Sequence, residues 1–320
     1  MIPYGKQFID EYDIKSVIKV LRSDFLTQGP LTPKFENLIQ KKTGSKYAVA
    51  TNSGTSALHI SCLALGLEKN DIVWTSPNSF IASANCAEYC GAKVDFVDIN
   101  FKTGNISTDC FEEKLKIAKK NNKLPKILIP VHFGGHPTNQ KKIWQLSKKY
   151  GIKIIEDASH SLGAKNNKEK VGSCKYSDIT ITSFHPVKTI TTAEGGIALT
   201  NSKLLFSYLK EYRVHGVVQD NYKYNNSFCS YFQNSLGYNY RLSDIHAAIG
   251  ISQINKINFF INKRNKIYKR YINSFQNSNI EPIKTQKGFH SSNHLFVIRP
   301  KYTKKNFSNI YVIKYLRKKG

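Results

Sequence analysis

The stretch KILIPVHFGGHPTNQKKIWQLSKKYGIKIIEDA, residues 126–158, carries the pattern of a strand, a helix and a second strand. KILIPVHF (126–133) and IKIIEDA (152–158) are apolar runs without alternation, which is typical of strands buried on both faces. The segment between them, NQKKIWQLSKKYG (139–151), reads as a helix that ends at Gly151. This order favours two parallel strands joined by a helical crossover.

The same alternation extends on both sides of this unit. Residues 46–66 read as a strand followed by a helix, 71–76 and 93–99 as strands, 111–120 as a helix, and 178–185 and 195–200 as strands. This pattern predicts an α/β domain with a mainly parallel sheet. After about residue 240 it changes to one long helical region (242–275), a strand (293–300) and a helix (307–320), which indicate a smaller α+β domain. We therefore predict an N-terminal arm (1–24), a large domain (25–240) and a small domain (241–320) that is incomplete.

Composition narrows the class of protein. Hydrophobic residues make up 40% and aromatic residues 12% of the 320 residues, which excludes a disordered chain. There is neither an apolar run of membrane-spanning length nor the layout of a signal peptide, so we expect a cytoplasmic protein without membrane contact. The six cysteines are scattered, which favours reduced thiols over disulfides.

The net charge of +26 raises the question of a nucleic-acid partner. The lysines are spread along the whole chain among many Asn and Ile residues, and no arginine-rich stripe with interleaved aromatics is present. A general compositional drift explains this better than nucleic-acid binding. An anionic substrate would also be drawn to a positive cleft.

Two stretches lie where α/β folds bind ligands, between a strand and the element that follows it. TNSGTSALHI (51–60) places small residues before a helix, an arrangement that suits a phosphate but also an ordinary turn. In IKIIEDASHS (152–161), Asp157 ends a buried strand. Its carboxylate could pair with a protonated ring nitrogen or cap the following turn.

The third stretch is SFHPVKTITTAEGG, residues 183–196, in which Lys188 is surrounded by hydroxylated residues and glycines. A partly desolvated lysine has a lowered pKa and condenses with aldehydes. Gly195 and Gly196 would allow the backbone to approach a flat ligand. A phosphate site, an acid for a ring nitrogen and an amine for an aldehyde are together what pyridoxal 5′-phosphate requires. Phe80, in SPNSFIAS, is expected to stack on the ring.

The segments TNSGTSALH, EDASHSLGA, SFHPVKTITTAEGG and LGYNYRLSDIHAAIGISQI resemble, in order and spacing, the motifs of the DegT/DnrJ/EryC1/StrS sugar aminotransferases. The resemblance runs from Tyr4 to the end of the chain and implies the fold of aspartate aminotransferase, that of fold type I pyridoxal-phosphate enzymes. It implies that Lys188 is the catalytic residue that holds the cofactor, with Asp157 at the ring nitrogen and His160 near the ring hydroxyl. The residues implied on the phosphate side are Gly54, Thr55 and Ser183.

The resemblance also implies a homodimer, because Asn239 in GYNYR matches a residue that this family supplies from the neighbouring subunit. LTQG (26–29) and SSNHL (291–295) are most similar to a subfamily that moves an amino group from glutamate to C4 of a UDP-linked 4-keto-6-deoxy-N-acetylhexosamine in pseudaminic acid or related surface-glycan synthesis. The substrate-contacting positions implied are Tyr4, Asp24, Phe25, Leu26 and Thr27.

Other functions stay open at this point. The chain could aminate another nucleotide-linked keto sugar, of the legionaminic, bacillosamine or perosamine type. Family members continue beyond the helix that ends at Gly320, so we also consider a truncated, inactive remnant that binds a sugar nucleotide. A dehydratase of the same fold is disfavoured by Lys188, since histidine replaces the lysine in those enzymes. His132 and His136 have a metal-like spacing but lack a third ligand nearby, so we expect no metal.

Overall fold

A computed structural model of the chain describes residues 5–219, 231–300 and 308–320. The helices are α1 (Glu11–Leu21), α2 (Leu31–Thr43), α3 (Gly54–Ala64), α4 (Ala82–Glu88), α5 (Thr108–Lys120), α6 (Gln140–Lys149), α7 (Lys203–Arg213), α8 (Asp244–Asn255), α9 (Ile257–Ser274) and α10 (Asn309–Lys318), with a short 3-10 helix at Phe133–Gly135. The strands are β1 (Tyr47–Thr51), β2 (Ile72–Thr75), β3 (Lys93–Phe96), β4 (Ile127–Ile129), β5 (Lys153–Asp157), β6 (Lys165–Asn166), β7 (Glu169–Lys170), β8 (Ile179–Ser183), β9 (Gly196–Thr200), β10 (Val217–Gln219), β11 (Tyr231–Gln233), β12 (Ile280–Pro282) and β13 (Ile298–Pro300).

Seven strands form one sheet in the order β1-β9-β8-β5-β4-β2-β3. Strands β3, β2, β4, β5 and β8 run parallel, and β9 is antiparallel to both of its neighbours, β1 and β8. This confirms the predicted α/β fold with a mainly parallel sheet. The strand β5 lies in the middle of the order, and its carboxyl end therefore lies at the centre of one edge of the sheet.

Helices cover both faces of this sheet, as the apolar runs of the central strands require. The helices α3, α4 and α7 bury one cluster together with Ile129 and Ile155. The helices α2 and α8 bury a second cluster around Phe35 and Phe184, whose ring centroids lie 5.1 Å apart. A third cluster joins α5 and α6 to Trp74 on β2.

The region 242–275 differs from the single helix expected. It breaks at Lys256 into α8 and α9. The Lys256 ammonium lies 2.9 Å from Asp10 Oδ1 and 2.7 Å from Asp13 Oδ2, at the start of α1. Gln253 also donates to Asp13 Oδ2, so the break is tied to α1 by contacts that no local pattern contains.

The C-terminal part contains shorter strands than expected. Of the strand predicted over 293–300, only β13 pairs, antiparallel to β12. The helix α8 packs against α1 and α2 and contributes to the same cluster as Phe35, while the division of the chain into an arm and two domains stays a prediction.

None of the described helices combines the length and apolar character that a membrane crossing requires. Five cysteines lie within the described ranges and are free thiols, and Cys229 lies outside them.

Candidate active site

Asp157 is the last residue of β5 and is 5% exposed. The backbone N–H of Ser159 donates to its Oδ1 over 3.0 Å, which is the turn-capping contact that the sequence left open. The hydroxyl of Ser83, on α4, donates to its Oδ2 over 2.7 Å. Asp157 therefore caps its turn and is also fixed from a second element at the carboxyl end of a central strand, where α/β folds bind ligands.

Lys188 lies in the connection between β8 and β9. The Thr191 hydroxyl and the Thr192 backbone N–H both donate to the carbonyl of Phe184, each over 2.9 Å, and these two bonds close the loop that carries the lysine. Burial lowers the pKa of the Lys188 ammonium, whereas the charge of Asp157 acts in the opposite direction. The predicted amine and the predicted acid therefore belong to one site, and the amine is shifted toward its unprotonated, nucleophilic form.

Two histidine rings lie beside this pair. The ring centroids of His160 and His294 are 4.4 Å apart, with 39° between the ring planes. Burial lowers the pKa of His160 to about 4; the Lys188 charge acts in the same sense, and the Asp157 charge opposes it. Burial also lowers the pKa of His294, and the neighbouring His160, Lys188 and Arg264 add to this effect. Both imidazoles are therefore neutral at pH 7.

Arg264, on α9, connects the C-terminal segment to the lysine loop. Its guanidinium donates to the carbonyl of His294 over 3.0 Å and to the carbonyl of Lys188 over 3.3 Å. The hydroxyl of Ser292 donates to the carbonyl of His160 over 2.7 Å. The segment 291–295 therefore contacts the site.

The turn between β1 and α3 forms the predicted phosphate side. Ser53 caps α3 by accepting a hydrogen bond from the N–H of Ser56 over 3.0 Å. This leaves the N–H groups of Gly54 and Thr55 without an acceptor among the described residues. A methyl group added at Gly54 would lie 3.0 Å from Cβ of Ser183, so these predicted phosphate-side positions are neighbours.

The two glycines at the end of the lysine loop pack closely inside the chain, and their role in the approach of a flat ligand stays a prediction. A methyl group at Gly196 would lie 2.3 Å from the carbonyl oxygen of Ser53. At Gly195 it would lie 2.2 Å from the Thr192 hydroxyl. The absence of a side chain at Gly196 lets β9 pack against the phosphate-side turn, which therefore lies next to the end of the lysine loop.

Phe80 lies just before α4, and its side chain is 69% exposed. Its carbonyl accepts a hydrogen bond from the N–H of Ser83, the residue that binds Asp157. An exposed ring this close to the predicted ring-nitrogen site is available to stack on a flat ligand. Its role stays a prediction.

Asn239 is exposed, and its backbone carbonyl accepts a hydrogen bond of 3.4 Å from the side-chain amide of Asn52. The next carbonyl, of Tyr240, accepts from the backbone N–H of Asn52 over 2.9 Å. The backbone of Asn239 therefore lies beside the phosphate-side turn of its own chain. The contribution of its side chain to a neighbouring subunit stays a prediction.

The expected substrate-contacting segment, Asp24 to Thr27, is exposed and lies at the start of α8. The carbonyl of Leu26 accepts from the N–H of Asp244 over 3.0 Å, and Thr27 forms a bridge with Ser243. Phe25 is 53% exposed. Tyr4 lies outside the described residues.

A cleft of about 260 Å³ borders the lysine loop, and of the predicted site residues that the structure describes only Lys188 is among those that line it. Three further cationic side chains line it, those of Lys6, Lys263 and Arg264. Because these charges are concentrated in a concave surface, they favour an anionic ligand.

The two histidines with metal-like spacing have other partners. Nε2 of His132 lies 2.7 Å from Glu156 Oε1, and its Nδ1 accepts from the N–H of Thr138 over 3.0 Å. Nδ1 of His136 lies 2.7 Å from the Thr285 hydroxyl. Among the residues that the structure describes, no three or more His, Cys, Asp or Glu side chains are arranged to hold a metal ion.

Sequence reasoning missed Ser83 and Arg264, and it assigned no role to His294. Ser83 has no local signal, since its partner Asp157 is 74 residues away. Arg264 is one of many basic residues on a helix. His294 stood in a segment quoted for its resemblance alone, although a histidine directly before an apolar run, here LFVI (295–298), is a usable signal.

The site fits the expected cofactor on structural grounds. Nδ1 of His160 and both ring nitrogens of His294 are buried without a hydrogen-bond partner in the described residues. Buried polar atoms are normally paired, so three orphaned nitrogens beside Lys188 indicate room for a polar ligand there. Unpaired helix N–H groups at Gly54 and Thr55 suit a phosphate. A buried carboxylate and an amine with a lowered pKa complete the set that pyridoxal 5′-phosphate needs.

Comparison with known proteins finds relatives that match almost the whole chain. The model of the DegT/DnrJ/EryC1/StrS aminotransferase family matches residues 7–320. The chain is 41% identical over 299 residues to a UDP-4-amino-4,6-dideoxy-N-acetyl-beta-L-altrosamine transaminase of Campylobacter jejuni, covering 93% of this chain and 76% of that protein.

Two solved structures share the fold. Helicobacter pylori PseC, described as an aminotransferase involved in the biosynthesis of pseudoaminic acid, superimposes with a TM-score of 0.89 at 30% identity, covering 99% of this chain and 82% of that one. A putative sugar aminotransferase of Streptococcus pneumoniae, Spr1654 in its PMP-form, gives a TM-score of 0.90 at 26% identity, covering 100% and 84% of the two chains.

Proposed function

The chain belongs to the DegT/DnrJ/EryC1/StrS aminotransferase family, and from this membership we propose that it moves the amino group of glutamate to C4 of a UDP-linked 4-keto-6-deoxy-N-acetylhexosamine. The observation that carries the proposal is the site formed by Lys188, Asp157 and His160 at the carboxyl end of β5. The choice of a UDP-linked 4-keto sugar is supported by the names of similar proteins from Campylobacter jejuni.

As a sugar aminotransferase of this family, the protein uses pyridoxal 5′-phosphate. When bound, this cofactor supplies an aldehyde that carries the amino group between the two substrates and a ring that accepts electrons. In our proposal Lys188 holds the cofactor, Asp157 faces its ring nitrogen and Phe80 covers its ring. Gly54, Thr55 and Ser183 bind its phosphate through N–H and hydroxyl groups.

Lys188 has a second role as the base that moves protons. Because burial lowers the pKa of its ammonium, Nζ is shifted toward the free amine that can take a proton from a substrate carbon and return it. The Asp157 carboxylate is held by Ser83. Its negative charge would stabilise a proton on the ring nitrogen of the cofactor. The neutral imidazole of His160 can donate or accept one hydrogen bond at Nδ1.

The substrate is a dianionic nucleotide, and the charges of the cleft fit it. Lys6, Lys263 and Arg264 line the cleft beside Lys188 and would attract a diphosphate. We assign Asp24, Phe25, Leu26 and Thr27 to substrate contacts, since this exposed segment offers backbone groups and two apolar side chains. Asn239 is assigned to the phosphate site of a second copy in a homodimer.

The test is incubation of the cofactor-loaded protein with glutamate and a panel of nucleotide-linked 4-keto sugars that carry UDP, GDP or dTDP. We expect the UDP-linked 4-keto-6-deoxy-N-acetylhexosamine to be aminated at C4, with 2-oxoglutarate formed in equal amount, as measured by mass spectrometry and NMR. Replacing glutamate by glutamine or alanine tests the donor. Turnover of a GDP- or dTDP-linked sugar in preference to the UDP-linked one would refute the assigned substrate while leaving the aminotransferase reaction intact.

A further inference from the structure

Three cysteines lie where α3 packs against α4, and the thiol of Cys86 donates to the carbonyl of Ser83 over 3.5 Å. Cys62 lies on α3, Cys86 on α4 and Cys90 in the turn that follows α4. Cys62 and Cys86 are fully buried, whereas Cys90 is partly exposed. Cys62 and Cys86 belong to one buried cluster against which Cys90 packs, and the Cys90 thiol donates to the carbonyl of Cys86 over 3.4 Å.

A histidine with one unused ring nitrogen faces the same cluster. His59 lies one turn before Cys62 on α3 and is 3% exposed. Its Nδ1 lies 3.1 Å from the hydroxyl of Tyr240, which can donate to it and so leave the ring proton on Nε2. Nε2 is buried without a hydrogen-bond partner in the described part of the chain. The His59 ring helps to lower the pKa of Cys90, whose thiolate can accept that proton.

These neighbours make the thiols unequal. Hydrogen bonding from Cys62, together with the contact with His59, lowers the pKa of Cys90 to about 5 against the opposing effect of burial. Hydrogen bonding with Cys86 and Cys90, together with burial, raises the pKa of Cys62. A partly exposed thiolate therefore lies next to a buried, protonated thiol, which is the arrangement of a peroxide-sensitive cysteine and its resolving partner.

We propose that Cys90 is a site of oxidation by hydroperoxides and that Cys62 resolves the oxidised sulfur as an intramolecular disulfide. The Cys90 thiolate attacks one peroxide oxygen; an S–O bond forms, the O–O bond breaks, and the peroxide is reduced to water or an alcohol after taking up a proton. Cys62 sulfur then attacks Cys90 sulfur. An S–S bond forms, the S–O bond breaks, and the proton of Cys62 leaves with the hydroxide as water.

The first test maps the bond in the full chain loaded with pyridoxal phosphate. The protein is treated with one equivalent of hydrogen peroxide, free thiols are alkylated, and the chain is digested without reduction. Trypsin combined with cleavage after Glu88 puts Cys62, Cys86 and Cys90 on three separate peptides. We expect a Cys62–Cys90 pair, with Cys110, the other partly exposed thiol of the described residues, still reduced. A Cys86–Cys90 pair, or a Cys90 that stays reduced, would overturn the proposal.

The second test measures the role of His59. At pH 6 a thiol with an ordinary pKa near 8.5 is almost fully protonated, although its greater intrinsic nucleophilicity offsets part of the loss. We expect His59→Gln to slow the oxidation of Cys90 at pH 6 by about tenfold. Tyr240→Phe removes only one hydroxyl and should slow the oxidation of Cys90 less. This variant provides a second measurement if His59→Gln does not fold. Cys110→Ser is the matched control with no expected change. Unchanged rates in both test variants would contradict the assignment.

Discussion

The hydroxyl of Ser83 donates a hydrogen bond of 2.7 Å to Oδ2 of Asp157. This contact joins the first turn of α4 to the carboxyl end of β5, and through the neighbouring Phe80 it connects the two residues expected to face the ring of the cofactor. The orientation of the carboxylate therefore depends on a residue that itself need not touch the cofactor.

Ser83→Ala should weaken the binding of pyridoxal phosphate about tenfold, because a hydrogen bond to a charged group contributes roughly 1.5 kcal/mol or more. The dissociation constant is measured by absorbance or fluorescence titration of the cofactor-free protein. Ser61→Ala is the matched control, since Ser61 is also buried and donates to a carbonyl, that of Ala57, on the neighbouring helix α3. Equal affinities of the two variants would show that Ser83 does not position Asp157.

Lys188 should be the attachment point of the cofactor, because burial lowers the pKa of its amine and the Asp157 carboxylate is close enough to affect that pKa. Protein loaded with pyridoxal phosphate should lose its near-visible absorbance on treatment with borohydride, and peptide mapping should find the label on Lys188. Lys188→Ala should abolish the labelling, whereas Lys263→Ala, in the same cleft, should not. A label on any other lysine would refute the assignment.

The parts of the molecule that sequence predicts are those that depend on local pattern. The apolar runs of β4 and β5 and the helix between them follow from burial on both faces of a parallel sheet, and the Asp157 and Lys188 stretches stand at strand ends. The break at Lys256 depends on Asp10 and Asp13, which are more than 240 residues away, and a helical pattern cannot contain it. The approach of His294 to His160 likewise requires the folded chain.

The lowered pKa of His160 should make the free energy of unfolding depend on pH. Because its pKa falls from an ordinary value near 6.5 to about 4 in the folded chain, the unfolded state binds more protons between these values. The free energy of unfolding should therefore fall as the pH is lowered from 7 to 5. His160→Gln should remove about 2 kcal/mol of that fall. Urea unfolding of the cofactor-free protein at pH 7 and pH 5 measures this change in the free energy of unfolding. His185→Gln, at an exposed position, is the control. The same pH dependence in wild type and His160→Gln would mean that folding does not lower the pKa of the His160 ring.

Substitution of Asn239 can show whether each active site is built from one chain or from two. The backbone of Asn239 lies beside the phosphate-side turn of its own chain, while its side chain is assigned to the site of a second copy. Asn239→Ala should therefore lose cofactor whether Asn239 acts in its own site or in that of its partner. Mixing Asn239→Ala with Lys188→Ala separates these two possibilities. In a mixed dimer, the subunit that retains Lys188 lacks its own Asn239 but receives an intact one from its partner. If Asn239 acts across the interface, exchange of subunits should restore one site in each mixed dimer, giving up to half of the wild-type cofactor binding per mixed dimer. Sedimentation measures dimer formation, and borohydride labelling of Lys188 counts the restored sites. No recovery after confirmed exchange would place Asn239 in the site of its own chain.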